Sequence, residues 1–163
     1  MGLLRAYKRL RHSRGYGVHS PSAYSLVRDV IRPARGYEYY AERRLPRLRG
    51  PLKAALLFRM TVYLQPSTVR ITGATEDVAA ASAIVRAACP GAKIVEAGKA
   101  DLLLCLGREN AGTEWRHGIF ADRRHQAIAD ATRTRRAGHL LVSRRAAMFI
   151  EAEVPFQITE IRF

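Results

Sequence analysis

"RITGATEDVAAAS", residues 70–82, is the stretch on which the fold turns. The β-branched run "TVRIT" at 68–72 has the composition of a strand, and it stops at a single glycine, Gly73. An alanine-dense helix is expected over 76–89, with Thr75 as its N-cap and Glu76 and Asp77 beside the partial positive charge of its first turn. Strand, tight turn and helix in that order open a parallel α/β unit, and in such sheets ligands gather where the strands end. Thr72, Gly73 and Ala74 are therefore the candidate cofactor contacts, because a glycine lets a ligand approach the backbone. Glu96 is the candidate for ribose hydroxyls. It ends the next strand, "AKIVE" at 92–96, and follows Gly73 by 23 positions, near the ~20 of a dinucleotide fingerprint.

Outward from this unit the pattern stays α/β. Upstream, Pro51 opens a helix in which Leu52, Leu56, Met60 and Tyr63 or Leu64 recur at helical spacing, closed by "QPS" at 65–67. Ser20 and Pro21 open an earlier helix through "PSAYSLVRDVI", ended by Pro33 and Gly36, and residues 2–11 suit a short basic helix. Residues 35–50 form a basic, aromatic connector. Downstream, "ADLLLCLG" at 100–107 is a fully buried strand, 108–118 a polar loop, and 121–136 a helix stopped by Gly138. Strands are expected over 139–143, 147–153 and 156–163, with Pro155 in the tight connection of the last two. The expected architecture is a mostly parallel sheet with an antiparallel C-terminal edge pair. It divides into a basic helical segment, 1–50, and an α/β core, 51–163.

Composition narrows the function classes. A chain of 163 residues suits one domain, and no apolar run approaches the ~20 residues that cross a bilayer. "MGLLRAYKRLRHSRG" lacks the apolar core of a signal peptide, so a cytoplasmic location is expected. Cys89 and Cys105 lie in apolar segments without metal-ligand spacing and read as buried reduced thiols. His19, His117, His125 and His139 are scattered and read as surface or capping residues, and Asp101 reads as a solvated acid flanking a turn. No residue cluster nominates a catalytic group or a metal site.

The net charge of +14 is concentrated at one end: residues 1–60 carry 14 Lys/Arg against 3 Asp/Glu. Such a segment would attract a nucleic acid, RNA foremost, or another anionic partner. Arg5, Lys8, Arg9, Arg11, Arg14 and the stretch 42–53 would supply phosphate contacts, with Tyr37, Tyr39 and Tyr40 as stacking candidates. Arginine outnumbers lysine 24 to 4, so a coding bias toward arginine is the competing account.

Two stretches carry a family likeness. "GVHSPSAYSLVRDVI" (17–31) and "LLFRMTVYLQPSTVRITGATEDVAAASAIV" (56–85) resemble segments of a Bacteroidetes-type family of class I S-adenosylmethionine-dependent methyltransferases. "ACPGAKIVEAG" and the C-terminal "AMFIEAEVPFQITEIRF" extend the likeness over nearly the whole chain. The resemblance implies a Rossmann-like methyltransferase fold with S-adenosylmethionine at Thr72, Gly73, Ala74 and Glu96. It also locates departures: Ile71 stands where the family has an acid, Asp77 where it has its last loop glycine, and Leu106 where it has an aspartate. A third strand and its helix are missing after "VEAGK". By this resemblance the fold is reduced and cofactor binding is weak or lost; an active methyltransferase and a basic binding module are the alternatives. The edge left by a missing strand would invite a second copy or a partner chain.

Overall fold

The protein's structure, a computed structural model, describes residues 25–31, 44–50, 52–112, 114–134, 138–142, 146–151 and 159–162. The expected helix over 2–11 and the start of the helix at Ser20 lie outside the described residues. A wide helical turn, Leu26–Ile31, is followed by α1 (Ala54–Leu64), β1 (Thr68–Thr72), α2 (Thr75–Ala88) and β2 (Lys93–Val95). Next come β3 (Ala100–Cys105), β4 (Trp115–Phe120), α3 (Gln126–Thr134), β5 (Gly138–Val142), β6 (Ala147–Glu151) and β7 (Thr159–Arg162).

The strands make one seven-stranded sheet in the order β2-β1-β3-β4-β6-β5-β7. The α/β class and the mostly parallel sheet are as expected: β1 runs parallel to β2 and β3, β3 to β4, and β5 to β7. Antiparallel pairing falls in the C-terminal part, where β6 runs against both β4 and β5. Its detail differs from the expectation, since the last two strands do not pair with each other. β6 is buried along Ala147–Ile150, on both faces, and so needs neighbours on both sides. It hairpins back from β5, with Val142 opposite Ala147, into the interior, and β7 joins the far side of β5.

Alternation along the strands divides the core. Val69, Leu102, Leu104, Ile119 and Met148 face one side, with Leu57, Phe58 and Met60 of α1, Ala81, Ile84 and Val85 of α2, and the Leu26–Ile31 turn. Leu48 and Leu52 join this same cluster, so residues on either side of position 50 share one core. Leu103, Cys105, Phe120, Ala147 and Phe149 face the other side, under Ala127, Ile128 and Ala131 of α3.

Three boundaries depart from the sequence expectation. Helix α1 begins at Ala54 with Lys53 as N-cap, not at Pro51, and ends where Gln65 turns left-handed, φ 43°. Helix α3 begins at Gln126 and not at residue 121, and Gly138 opens β5 in place of capping a helix. Most consequentially, part of the expected polar loop 108–118 is strand β4. Its "WRHGIF" has no apolar alternation because His117 and Gly118 occupy buried positions. A Cβ on Gly118 would lie 2.6 Å from the Phe120 ring and 2.8 Å from the Trp115 ring. The glycine is the space into which two rings pack edge-on, with centroids 5.5 Å apart.

Parallel neighbours ordinarily need a crossover of a dozen or more residues, usually a helix. Here residues 96–99 carry β2 to β3, and the described residues 106–112 and 114 lie between β3 and β4, with no helix among the described residues of either connection. Getting from Val95 to Ala100 spans two strand spacings, roughly 10 Å, and must also run back along β1. The five steps available reach about 16–18 Å, so this crossover is nearly taut across β1. Arg70, at the centre of β1 and 9% exposed, lies beneath both crossovers. Its Nη1 donates to the Gly98 oxygen at 2.9 Å and its Nη2 to the Ala111 oxygen at 2.5 Å. One guanidinium thus ties down both helix-free connections.

Candidate functional site

The chain leaves β1 for β2 on one side and returns to β3 on the other. Where strand order reverses in this way, the carboxyl ends of the two strands ordinarily frame the ligand crevice. Thr72, Gly73 and Ala74 lie there, at the end of β1, and Leu106 lies just beyond β3. The Leu106 N–H donates to the Thr72 oxygen at 2.8 Å and joins the two strand ends. Gly73 has φ +145°, and a Cβ on it would sit 2.9 Å from the Leu106 Cβ. The direction a Cβ would take at Gly73 is therefore met by the Cβ and backbone of Leu106.

The other candidate residues turn away from a shared site. The Thr72 hydroxyl is enclosed and faces the sheet interior, beside the Cys105 thiol that pairs with its position across the ladder. Ala74, not Thr75, is the N-cap of α2, and it makes no side-chain cap. Glu76 and Asp77 do not cap the helix either: both hold Arg49, Glu76 as an ion pair and Asp77 by accepting from the Arg49 N–H at 3.1 Å. Glu96 is exposed at the first position of the taut crossover, one residue past β2. Its strand pairs only with Thr68–Arg70, so β2 ends before β1 does.

A polar cluster that sequence reasoning did not assemble lies behind this turn. His125 Nε2 is 3.3 Å from Cys105 Sγ and 2.9 Å from the Glu109 carbonyl oxygen. The other ring nitrogen, Nδ1, accepts the Ala127 N–H at 3.2 Å. An Nδ1 that accepts is unprotonated, so Nε2 carries the hydrogen and donates it to Glu109. The imidazole therefore has no free lone pair for the thiol, and burial pushes the Cys105 pKa up. This pair is a helix cap resting on a buried thiol, not an activated nucleophile. Of the two roles expected for His125, surface or capping residue, the structure shows the cap. Arg108 and Asp122 join the connections after β3 and β4 at 3.1 Å, and the Arg124 N–H, then Arg108, hold the Asp122 carboxyl below its usual range.

The remaining candidates are structural. Asp101 lies at the opposite, amino-terminal edge of the sheet, where its carboxylate accepts from the Ser67 and Thr68 N–H groups. His117 is buried in β4, not at the surface, and its Nδ1 accepts the Glu151 N–H at 3.2 Å. It fills an interior position because the neighbouring strand supplies the donor its ring needs. Cys105 is buried and Cys89 half-buried, both as free thiols. His139 contributes its backbone to β5, and His19 lies outside the described residues.

Of the basic segment, Arg5, Lys8, Arg9, Arg11, Arg14, Tyr37, Tyr39 and Tyr40 also lie outside the described residues. Arg47, Arg49 and Lys53 line, with Gly50, a shallow cleft of ≈ 710 Å³. Among the described residues no group of three or more His, Cys, Asp or Glu could hold a metal ion, and no helix is long and apolar enough to cross a membrane. Comparison with protein-family models, with curated proteins and with solved structures finds no match to this chain.

Proposed function

We propose that this chain is a reduced methyltransferase-like protein in which binding of S-adenosylmethionine is weak or lost. The observation that carries the reading is Leu106 seated on Gly73 at the point where the strand order reverses. The sequence likeness supports the descent, and so does a parallel sheet whose one reversed strand lies among the C-terminal strands. Methyl transfer from a sulfonium depends chiefly on aligning donor and acceptor in a formed pocket. Setting Leu106 against the strand-end glycine and drawing the flanking crossovers onto Arg70 narrows the space in which that alignment would occur. The test is a melting curve with S-adenosylmethionine at millimolar concentration, for which little shift is expected. A dose-dependent rise with micromolar affinity, abolished in Gly73→Trp, overturns the reading, as does transfer of a labelled methyl group to cell extract by the purified protein.

A second reading concerns the basic segment, 1–60, and rests on its 14 Lys/Arg against 3 Asp/Glu. In this reading the segment binds RNA through phosphate contacts, independently of the strand-end turn. Affinity for a single-stranded RNA should then fall steeply with salt, with a slope that reports the phosphates neutralised. A flat salt dependence rejects it.

A further inference from the structure

The three cations of the shallow cleft are not equivalent. Arg47, Arg49 and Lys53 line it together with Leu48 and Leu52, whose side chains are buried in the core cluster that also holds Ala81, Ile84 and Val85 of α2. Between these two pegs the Arg49 N–H donates to Asp77 Oδ1 at 3.1 Å, and the Arg49 guanidinium pairs with the Glu76 carboxylate. Ala74 caps α2 without a side chain, so neither acid is spent on the N–H groups of its own helix. Among the described residues Arg47 and Lys53 have no acidic partner. A guanidinium presents the same planar fork of donors to a carboxylate and to a phosphate. Arg49 must therefore release Glu76 before it can grip a phosphate with that fork, whereas Arg47 and Lys53 have nothing to release.

We propose that Glu76 is an internal substitute for a phosphate: it occupies Arg49 and so restrains the affinity of this basic cleft for RNA. Asp77 fixes the backbone that presents the arginine. In naming RNA the inference rests on the reading of residues 1–60 as a binding segment. The restraint is modest, because both side chains of the pair are exposed to solvent. Exposed pairs of this kind are worth a factor of about two to five in an equilibrium constant.

A double-mutant cycle tests it. Affinity for a single-stranded RNA is measured across salt concentrations for the full chain, for Arg49→Gln, for Glu76→Gln and for their combination. Glu76→Ala serves as a second variant, and both keep the Asp77 bond to the backbone. Either change at Glu76 is expected to tighten binding about two- to fivefold and to steepen the salt slope. Arg49→Gln alone is expected to cost little, since its guanidinium is already engaged. In the Glu76→Gln background the same substitution is expected to remove the gain, while Arg47→Gln costs the same in both backgrounds. If Arg49→Gln costs as much with Glu76 as without it, the proposal falls and RNA binding stands. Absence of salt-dependent RNA binding in every variant overturns the reading of the segment and the proposal with it.

Discussion

The Arg70 guanidinium reaches the backbone oxygen of Ala111, 41 residues further along the chain, while its other nitrogen holds Gly98. The sheet face over β1 thereby acquires a cover without a helix. A buried guanidinium is costly unless its donors are matched, and here two backbone carbonyls match it. Arg70→Met keeps the apolar stem and removes both bonds, and it should cost about 2–4 kcal/mol. Lysine, with one point of contact in place of a planar fork, should recover only part of this. Chemical unfolding measures the loss, and amide hydrogen exchange should show faster opening confined to residues 96–99 and 110–112. A loss spread evenly over the sheet would contradict the clamp.

Asp101 and Thr68 bond reciprocally: the carboxylate accepts the Thr68 N–H at 3.1 Å, and the Asp101 N–H donates to Thr68 Oγ1 at 3.0 Å. Hydrogen bonds from Ser67 first, and from Thr68, hold the Asp101 carboxyl below its usual range. A lowered folded-state pKa contributes stability that is present above the unfolded value, ~3.9, and is lost as pH falls through the folded value. Asp101→Asn should therefore be less stable than wild type by about 1–2 kcal/mol at pH 7. That gap should close on acidification toward pH ~3 and below. Melts of the two proteins across this range check it; a gap independent of pH refutes the assignment.

The Cys105 thiol should resist alkylation in the native protein at pH ~8 and react fully once unfolded. Since burial raises its folded-state pKa, the stability it contributes is complete below the unfolded thiol range, ~8.5. It is lost as pH rises from there through the folded value. A Cys105→Ala protein should show a shallower alkaline decline than wild type. His125→Ala should lose about 1 kcal/mol of cap stability, and His125→Asn, which keeps an acceptor for the Ala127 N–H, should lose less. If His125→Ala instead changes the thiol's reactivity while leaving stability intact, the histidine acts on the thiol and the cap assignment fails.

Gly118→Ala should be the most damaging single methyl in the sheet. The added carbon meets two buried rings, neither of which can rotate out of a packed core, and overpacking of this kind costs about 1–3 kcal/mol. Tryptophan fluorescence and near-ultraviolet circular dichroism should change together with stability, because Trp115 packs against Phe120 and Phe149. Unchanged Trp115 spectra with full stability would show that the space at Gly118 is not used.

Wherever hydrophobic periodicity is local, the elements could be read from the chain. "TVRIT" is β1 residue for residue, and α2, β2, β3 and the three C-terminal strands fall within a few positions of expectation. β4 escaped because its interior places are taken by a histidine and a glycine, which announce themselves only through Glu151 and the two aromatic rings. Arg70 was visible as a charge inside an apolar strand, a signal that could have marked it as buried and bridging. The candidate site was legible only as an outline. The position of Gly73 could be read, but what lies on it could not, since Leu106 comes 33 residues later.

By itself the sequence determined the α/β class, the strand–glycine–helix unit and the charge gathered in residues 1–60, because each depends on neighbours within one turn or one strand. Tertiary structure alone decided the order of the strands, the interior place of β6, the crossovers tied to Arg70 and the contact of Leu106 with Gly73. Each of those depends on which distant segment fills a given volume. A glycine that can admit a ligand and a glycine that meets a neighbouring strand end are the same letter, and they differ only in what the folded chain brings against them.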